Sequence, residues 1–155
     1  YMWSKRMNGR LSVFARDNFR DSKLDLSAIF MERTLRMTVK HGVMAMINMQ
    51  SWMFLSSYEK LRGKLLSNAT LLTMAHIGPR GFDTIGGEVV STTAFIFQNN
   101  RNPDHKGEFL RLVDGMSEAE KSNMTKEAIS NTDCGWFYRV TSNDFQKILL
   151  TRIIV

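Results

Sequence analysis

Between residues 24 and 97 the chain alternates segments of helical hydrophobic period with short, unbroken apolar runs, and few folds accommodate that alternation. Leu24, Ala28, Met31, Leu35 and Val39 recur at helical spacing, with Leu26, Ile29 and Phe30 widening the stripe. Lys40 and His41 fall in the last turn, where cations oppose the helix dipole, and Gly42 offers a left-handed stop. The run 43–47 then has no polar alternation, the pattern of a strand buried on both faces. Ser56 lies three residues before Glu59, a capping box opening a second helix. Its inner face carries Tyr58, Leu61, Leu65 and Leu66, its outer face Lys60, Arg62 and Lys64, and Asn68 ends it. A strand over 70–77 follows, broken by Gly78-Pro79, then a glycine-rich loop over 80–87 and a strand over 89–97. Helix–strand–helix–strand predicts an open α/β sheet with parallel strands. The last strand follows too closely for a crossover helix, so it should pair antiparallel.

On either side the signals are weaker. Residues 7–18 read as a helix with Leu11, Phe14 and Ala15 on one side. The polar stretch 98–107, with Pro103, marks a boundary between a main unit, 1–97, and a small appended segment, 98–155. That segment should hold a strand over 109–113, a helix over 117–129 opened by a second capping box (Ser117, Glu120), a strand over 136–140 and a helical turn over 143–148. It is too small for much core of its own and should pack on the main sheet. With 155 residues, 43% apolar and 23% charged, the chain suits one globular domain with an appendage. The opening at Tyr1 rather than Met reads as a piece of a longer protein.

Several chemistries are disfavoured. Cys134 is the only cysteine, which excludes an internal disulfide framework and a multi-cysteine zinc site. His41, His76 and His105 share no ligand spacing, so no metal is expected. Serine, histidine and aspartate fall in unrelated elements, giving no nucleophile–base–acid set. The loop 81–87 lacks the spacing of a phosphate-binding fingerprint, and no helix follows it. No apolar run nears the roughly 18 residues that span a bilayer, and no leader pattern opens the chain, so no membrane partner and a reducing cytoplasm are expected. Of the net charge of +6, residues 1–77 hold twelve cations against five carboxylates; Lys5, Arg6, Arg10, Arg16, Arg20 and Lys23 crowd the start. Such a face suits a polyanion, or serves as a solvated surface.

Beyond these general readings, several stretches resemble a known family. They are Met46-Ile47-Asn48-Met49-Gln50-Ser51-Trp52-Met53-Phe54, Tyr58-Glu59-Lys60-Leu61-Arg62 with Leu65-Leu66, Ala75-His76-Ile77-Gly78 with Phe82, residues 89–97, and Asp133-Cys134-Gly135-Trp136-Phe137-Tyr138-Arg139. Together they are similar to the C-terminal half of the catalytic domain of adenine-N6-specific DNA methyltransferases of the Asn-Pro-Pro-Tyr class. The nearest group is the large BREX/Pgl phage-defence methylases, related to type II restriction-modification enzymes. The resemblance covers residues 1–148; the ending 149–155 departs from it.

The resemblance implies a partial Rossmann-like methyltransferase sheet, parallel strands with a terminal antiparallel one, plus a small α+β tail leading toward a target-recognition domain. It implies S-adenosyl-L-methionine as cofactor of the full-length enzyme, with none expected on this segment alone, because the family's glycine-rich cofactor motif precedes the Asn-Pro-Pro-Tyr. Double-stranded DNA would be the substrate, and other defence-system proteins possible partners. Tyr1 would be the last residue of the catalytic motif, whose Asn side chain and Pro carbonyl accept the hydrogens of the adenine amine and localise its lone pair. Tyr1 and Phe82 would flank the flipped adenine, restoring stacking lost from the duplex. Phe30 would border the methyl-donor pocket, and Lys5, Arg6 and Arg80 would meet DNA phosphates. Tyr1 and Phe82 should then open onto one cleft at the C-terminal strand edge, with ring centroids within roughly 9–14 Å. Each residue has another reading: Tyr1 a chain end without fixed place, Phe82 a plug under its own loop, Phe30 core, the cations solvated surface, and Trp52 packing. From another class, a non-catalytic nucleic-acid-binding or interaction module accounts for the basic face; Asn-Pro-Pro directly upstream of Tyr1 would discriminate against it.

Overall fold

The computed structural model describes residues 2–84 and 90–145. Asn8 caps α1 (Gly9–Asn18) by accepting from the Leu11 amide at 2.9 Å, and Asp25 caps α2 (Leu26–Met37) through the Ser27 amide at 2.8 Å. The broad apolar stripe of α2 divides by direction. Ala28 and Met31 enter the main core, Ile29 joins Ala15 and Phe19 in a small cluster that holds α1, and Phe30 faces outward, 52% exposed. The helix stops at Met37, before Lys40 and His41, because Thr38 turns extended; the left-handed residue is His41 (φ 65°) rather than Gly42.

β1 (Val43–Met49) is not buried on both faces. Met44 is buried, whereas Val43 and Ile47 are 58% and 62% exposed. The reason lies in the packing: α2, α3 (Ser51–Phe54) and α4 (Glu59–Asn68) supply core partners on the Met44 side only, among the described residues. The Ser56 capping box does not form. Residues Ser56–Tyr58 make a 3-10 turn, and no side chain caps α4. Arg62, expected on the outer face, is instead buried and donates to the carbonyls of Trp52 (2.9 Å) and Leu55 (2.6 Å), the latter also accepting from the Tyr58 amide at 3.0 Å. Burial lowers its pKa from the usual arginine range. Asn68 does end α4, its side chain donating to the Lys64 carbonyl at 2.8 Å.

β2 (Thr70–Gly78), β3 (Thr92–Gln98), β4 (Lys106–Arg111) and β5 (Phe137–Thr141) complete a five-stranded mixed sheet in the order β1-β3-β2-β4-β5. β3 is antiparallel to β2, as their short connection requires, and lies between β2 and β1, antiparallel to both. β4 runs parallel to β2, and β5 returns antiparallel, so the later strands extend the same sheet. Trp52 seals the core beneath, packing edge-on against Phe95 (5.3 Å) and Phe97 (6.2 Å). α5 (Glu118–Ser130) begins at the second capping box: Ser117 Oγ accepts from the Glu120 amide at 3.2 Å, and the Glu120 carboxylate accepts from the Met116 amide at 2.7 Å. Residues 142–145 are helical, and Phe145 stacks on Phe109 at 5.3 Å. No described helix is long and apolar enough to cross a membrane.

Candidate functional site

The parallel strands β1 and β2 end at one edge of the sheet, and the antiparallel β3 begins there. Ligands of open α/β sheets collect outside that edge, where chain leaves the strands and backbone groups become available. A cavity of about 490 Å³ opens at it, walled by Leu26, Ser27 and Phe30 of α2, Met46 to Met49 of β1, Met2, and Val90 and Thr92 at the start of β3. The wall is ordered by backbone contacts. Met2 accepts at its carbonyl from the Leu26 amide (3.0 Å), and Asn48 donates its amide to the Ser27 carbonyl (3.0 Å). Thr92 Oγ1 is buried with no hydrogen-bond partner among the described residues.

Phe30 is thus neither core nor isolated: its half-exposed ring is part of this wall. Tyr1 lies outside the described residues, so its distance to Phe82 does too. Lys5 and Arg6 are exposed on the 3-10 turn Ser4–Arg6, two or more residues past Met2. Phe82 is half-buried beyond the end of β2 and is not in the cavity wall. Arg80 is partly exposed, adopts a left-handed φ of 56°, and donates Nη1 to Met116 Sδ at 3.5 Å.

The turn around Phe82 holds the residues that sequence reasoning missed. Gly78 has φ 70°, and a Cβ there would lie 2.9 Å from Val113 Cγ1, so glycine is required where the chain reverses. Lys121, on α5, is 4% exposed and donates Nζ to the carbonyls of Ile77 (2.8 Å) and Leu112 (2.6 Å), at the ends of β2 and β4. Burial lowers its pKa from the usual lysine range, with Asp114 and Glu120 acting the other way. Asp83 and Glu118 exchange bonds: the Glu118 amide donates to Asp83 Oδ1 (3.2 Å) and the Asp83 amide to Glu118 Oε2 (3.3 Å). The one usable signal was the capping box, which placed the α5 terminus but not what it would grip. At the same edge His76 Nε2 lies 2.6 Å from Gln50 Oε1, joining the ends of β2 and β1.

Comparison with known proteins places this arrangement. The chain is 49% identical over 148 residues to the adenine-specific methyltransferase BrxX of Escherichia coli O9:H4 (strain HS), and 40% identical over 148 residues to the adenine-specific methyltransferase PglX of Lacticaseibacillus casei (strain Zhang). In each case the match covers 96% of this chain and 12% of the relative, so the chain spans about one eighth of their length. In solved structures the fold is similar to a type I restriction-modification methyltransferase subunit from Streptococcus thermophilus (TM-score 0.57, 18% identity, 87% of this chain and 33% of that one). It is similar also to the type IIG restriction endonuclease BpuSI (TM-score 0.57, 15% identity, 94% of this chain and 18% of that one). The profile of the Eco57I restriction-modification methylase family matches residues 1–82, over half the chain, and with these relatives shows that the chain belongs to that family.

Proposed function

We propose that the full-length protein is a DNA methyltransferase acting on the exocyclic N6 amine of adenine in restriction-modification or phage defence. In this reading residues 1–97 are the later half of its catalytic unit, and 98–155 lead toward target recognition. The observation that carries the reading is the 49% identity, across nearly the whole chain, to a protein named an adenine-specific methyltransferase. S-adenosyl-L-methionine would supply an electrophilic methyl group. The cavity at the strand edge fits one side of such a molecule: Phe30 offers a flat apolar face, and Leu26 and Ile47 extend it.

The remaining work falls to side chains of this chain. Phe82 stacks on the extruded adenine, Tyr1 covers its other face, and the two rings offset the stacking lost from the duplex. Lys5, Arg6 and Arg80 meet phosphates, fixing the duplex without reading its sequence. In the full-length enzyme, Phe82→Ala loses about 1–3 kcal/mol of base stacking, seen as slower methylation with the circular dichroism spectrum kept. An unfolded variant would make Phe82 a core residue and remove it from the site.

A further inference from the structure

The chain on either side of the half-buried Phe82 is held by hydrogen bonds of its neighbours. On one side, Ile77 is tied by Lys121, whose ammonium also holds Leu112 at the end of the adjacent parallel strand. On the other, Asp83 and Glu118 exchange backbone–carboxylate hydrogen bonds, and between them Arg80 reaches Met116. All of these anchors, Met116, Glu118 and Lys121, belong to the start of α5 or the residues just before it. The other charged side chains of α5 are exposed, so Lys121 stands apart. A buried ammonium is costly unless its donors are used, and here they close on two strand-end carbonyls. Such a cation adds little that an apolar side chain would not add to packing. What it does add is direction, fixing where two strands release their chain.

We propose that the start of α5 sets the position of Phe82, with Lys121 and Glu118 as positioning residues for the adenine. The proposal rests on the stacking role assigned to Phe82 above. A turn fixed before DNA arrives loses less conformational entropy when the base stacks on it. It also couples the segment after residue 98 to the adenine site, since any shift of α5 is passed to Ile77 and Asp83 through direct hydrogen bonds.

The test uses the full-length enzyme and duplex DNA carrying 2-aminopurine at the target adenine. Stacking on Phe82 quenches the extruded base, so Phe82→Ala brightens it. Lys121→Met and Glu118→Ala are expected to brighten it toward the same level and to lower kcat by about 10- to 100-fold, with KM for S-adenosyl-L-methionine unchanged. Combined with Phe82→Ala they add no further loss, because all act through one ring. Glu118→Gln, which keeps an acceptor for the Asp83 amide, retains the wild-type signal. Wild-type emission and kcat in folded Lys121→Met and Glu118→Ala would overturn the proposal, as would losses fully additive with Phe82→Ala. Glu118 is exposed, so its variants decide the matter even if Lys121→Met fails to fold. A Phe82→Ala enzyme with unchanged emission and rate has a different meaning: it removes the stacking role itself.

Discussion

At the scale of single residues, burial decides which side chains the chain can read from its own pattern. Tyr58 is fully buried at helical spacing with Leu61 and Leu65, and that much was legible. Its hydroxyl has no hydrogen-bond partner among the described residues, and desolvation, with the nearby Asp25 carboxylate, raises its pKa to about 12. The unfolded chain ionises this tyrosine near pH 10, the folded chain not until about 12. Stability from the neutral phenol is therefore complete below pH 10 and lost as pH rises toward 12. Tyr58→Phe is expected to unfold at the same or a higher temperature at pH 7 and to lose less stability than wild type over that alkaline interval. An identical alkaline slope in both would contradict the assignment. Arg62 and Lys121 were illegible for a shared reason. Each is a cation at an ordinary surface spacing, and only the carbonyls brought near it by a 3-10 turn or a strand end make burial tolerable.

At the scale of elements, β1 shows where local pattern misleads. An unalternating run predicts two buried faces, yet its neighbours among the described residues cover one. Met44→Ala should cost about 2–5 kcal/mol in denaturant unfolding, and Ile47→Thr on the open face about 0.5 kcal/mol or less. Comparable losses at the two positions would mean that both faces are packed in solution. α5 was legible to within one residue because its cap is a local chemical device: Ser117 and Glu120 satisfy amides within their own turn. The second helix had the same letters at Ser56 and Glu59 but not the geometry, since the chain arrives through a 3-10 turn that uses up the cap position. The antiparallel sense of β3 was legible from the shortness of the 79–91 connection. Its place between β1 and β2 was not, because strand order is a property of long-range pairing.

At the scale of the molecule, the proposed function makes the cavity beside Phe30 one wall of a cofactor site, whose glycine-rich motif the family resemblance places before residue 1. The isolated 155-residue chain is accordingly expected to show no thermal shift with S-adenosyl-L-methionine. A ligand that bound at one hundredth of the applied concentration would contribute about 2.7 kcal/mol, which such a measurement would reveal. The strand order has a consequence for synthesis. Among the described residues β1 pairs with β3, and β2 lies between β3 and β4, both of which follow it. Until β3 leaves the ribosome, β2 has neither of its two hydrogen-bonding neighbours. The roughly twenty residues separating the end of β2 from the end of β3 take about 1–4 s to translate, and for that time β2 is unpaired. Slow codons placed before residue 98 would prolong that exposure and invite aggregation of the nascent chain. The same codons placed after it would find β1, β3 and β2 already joined.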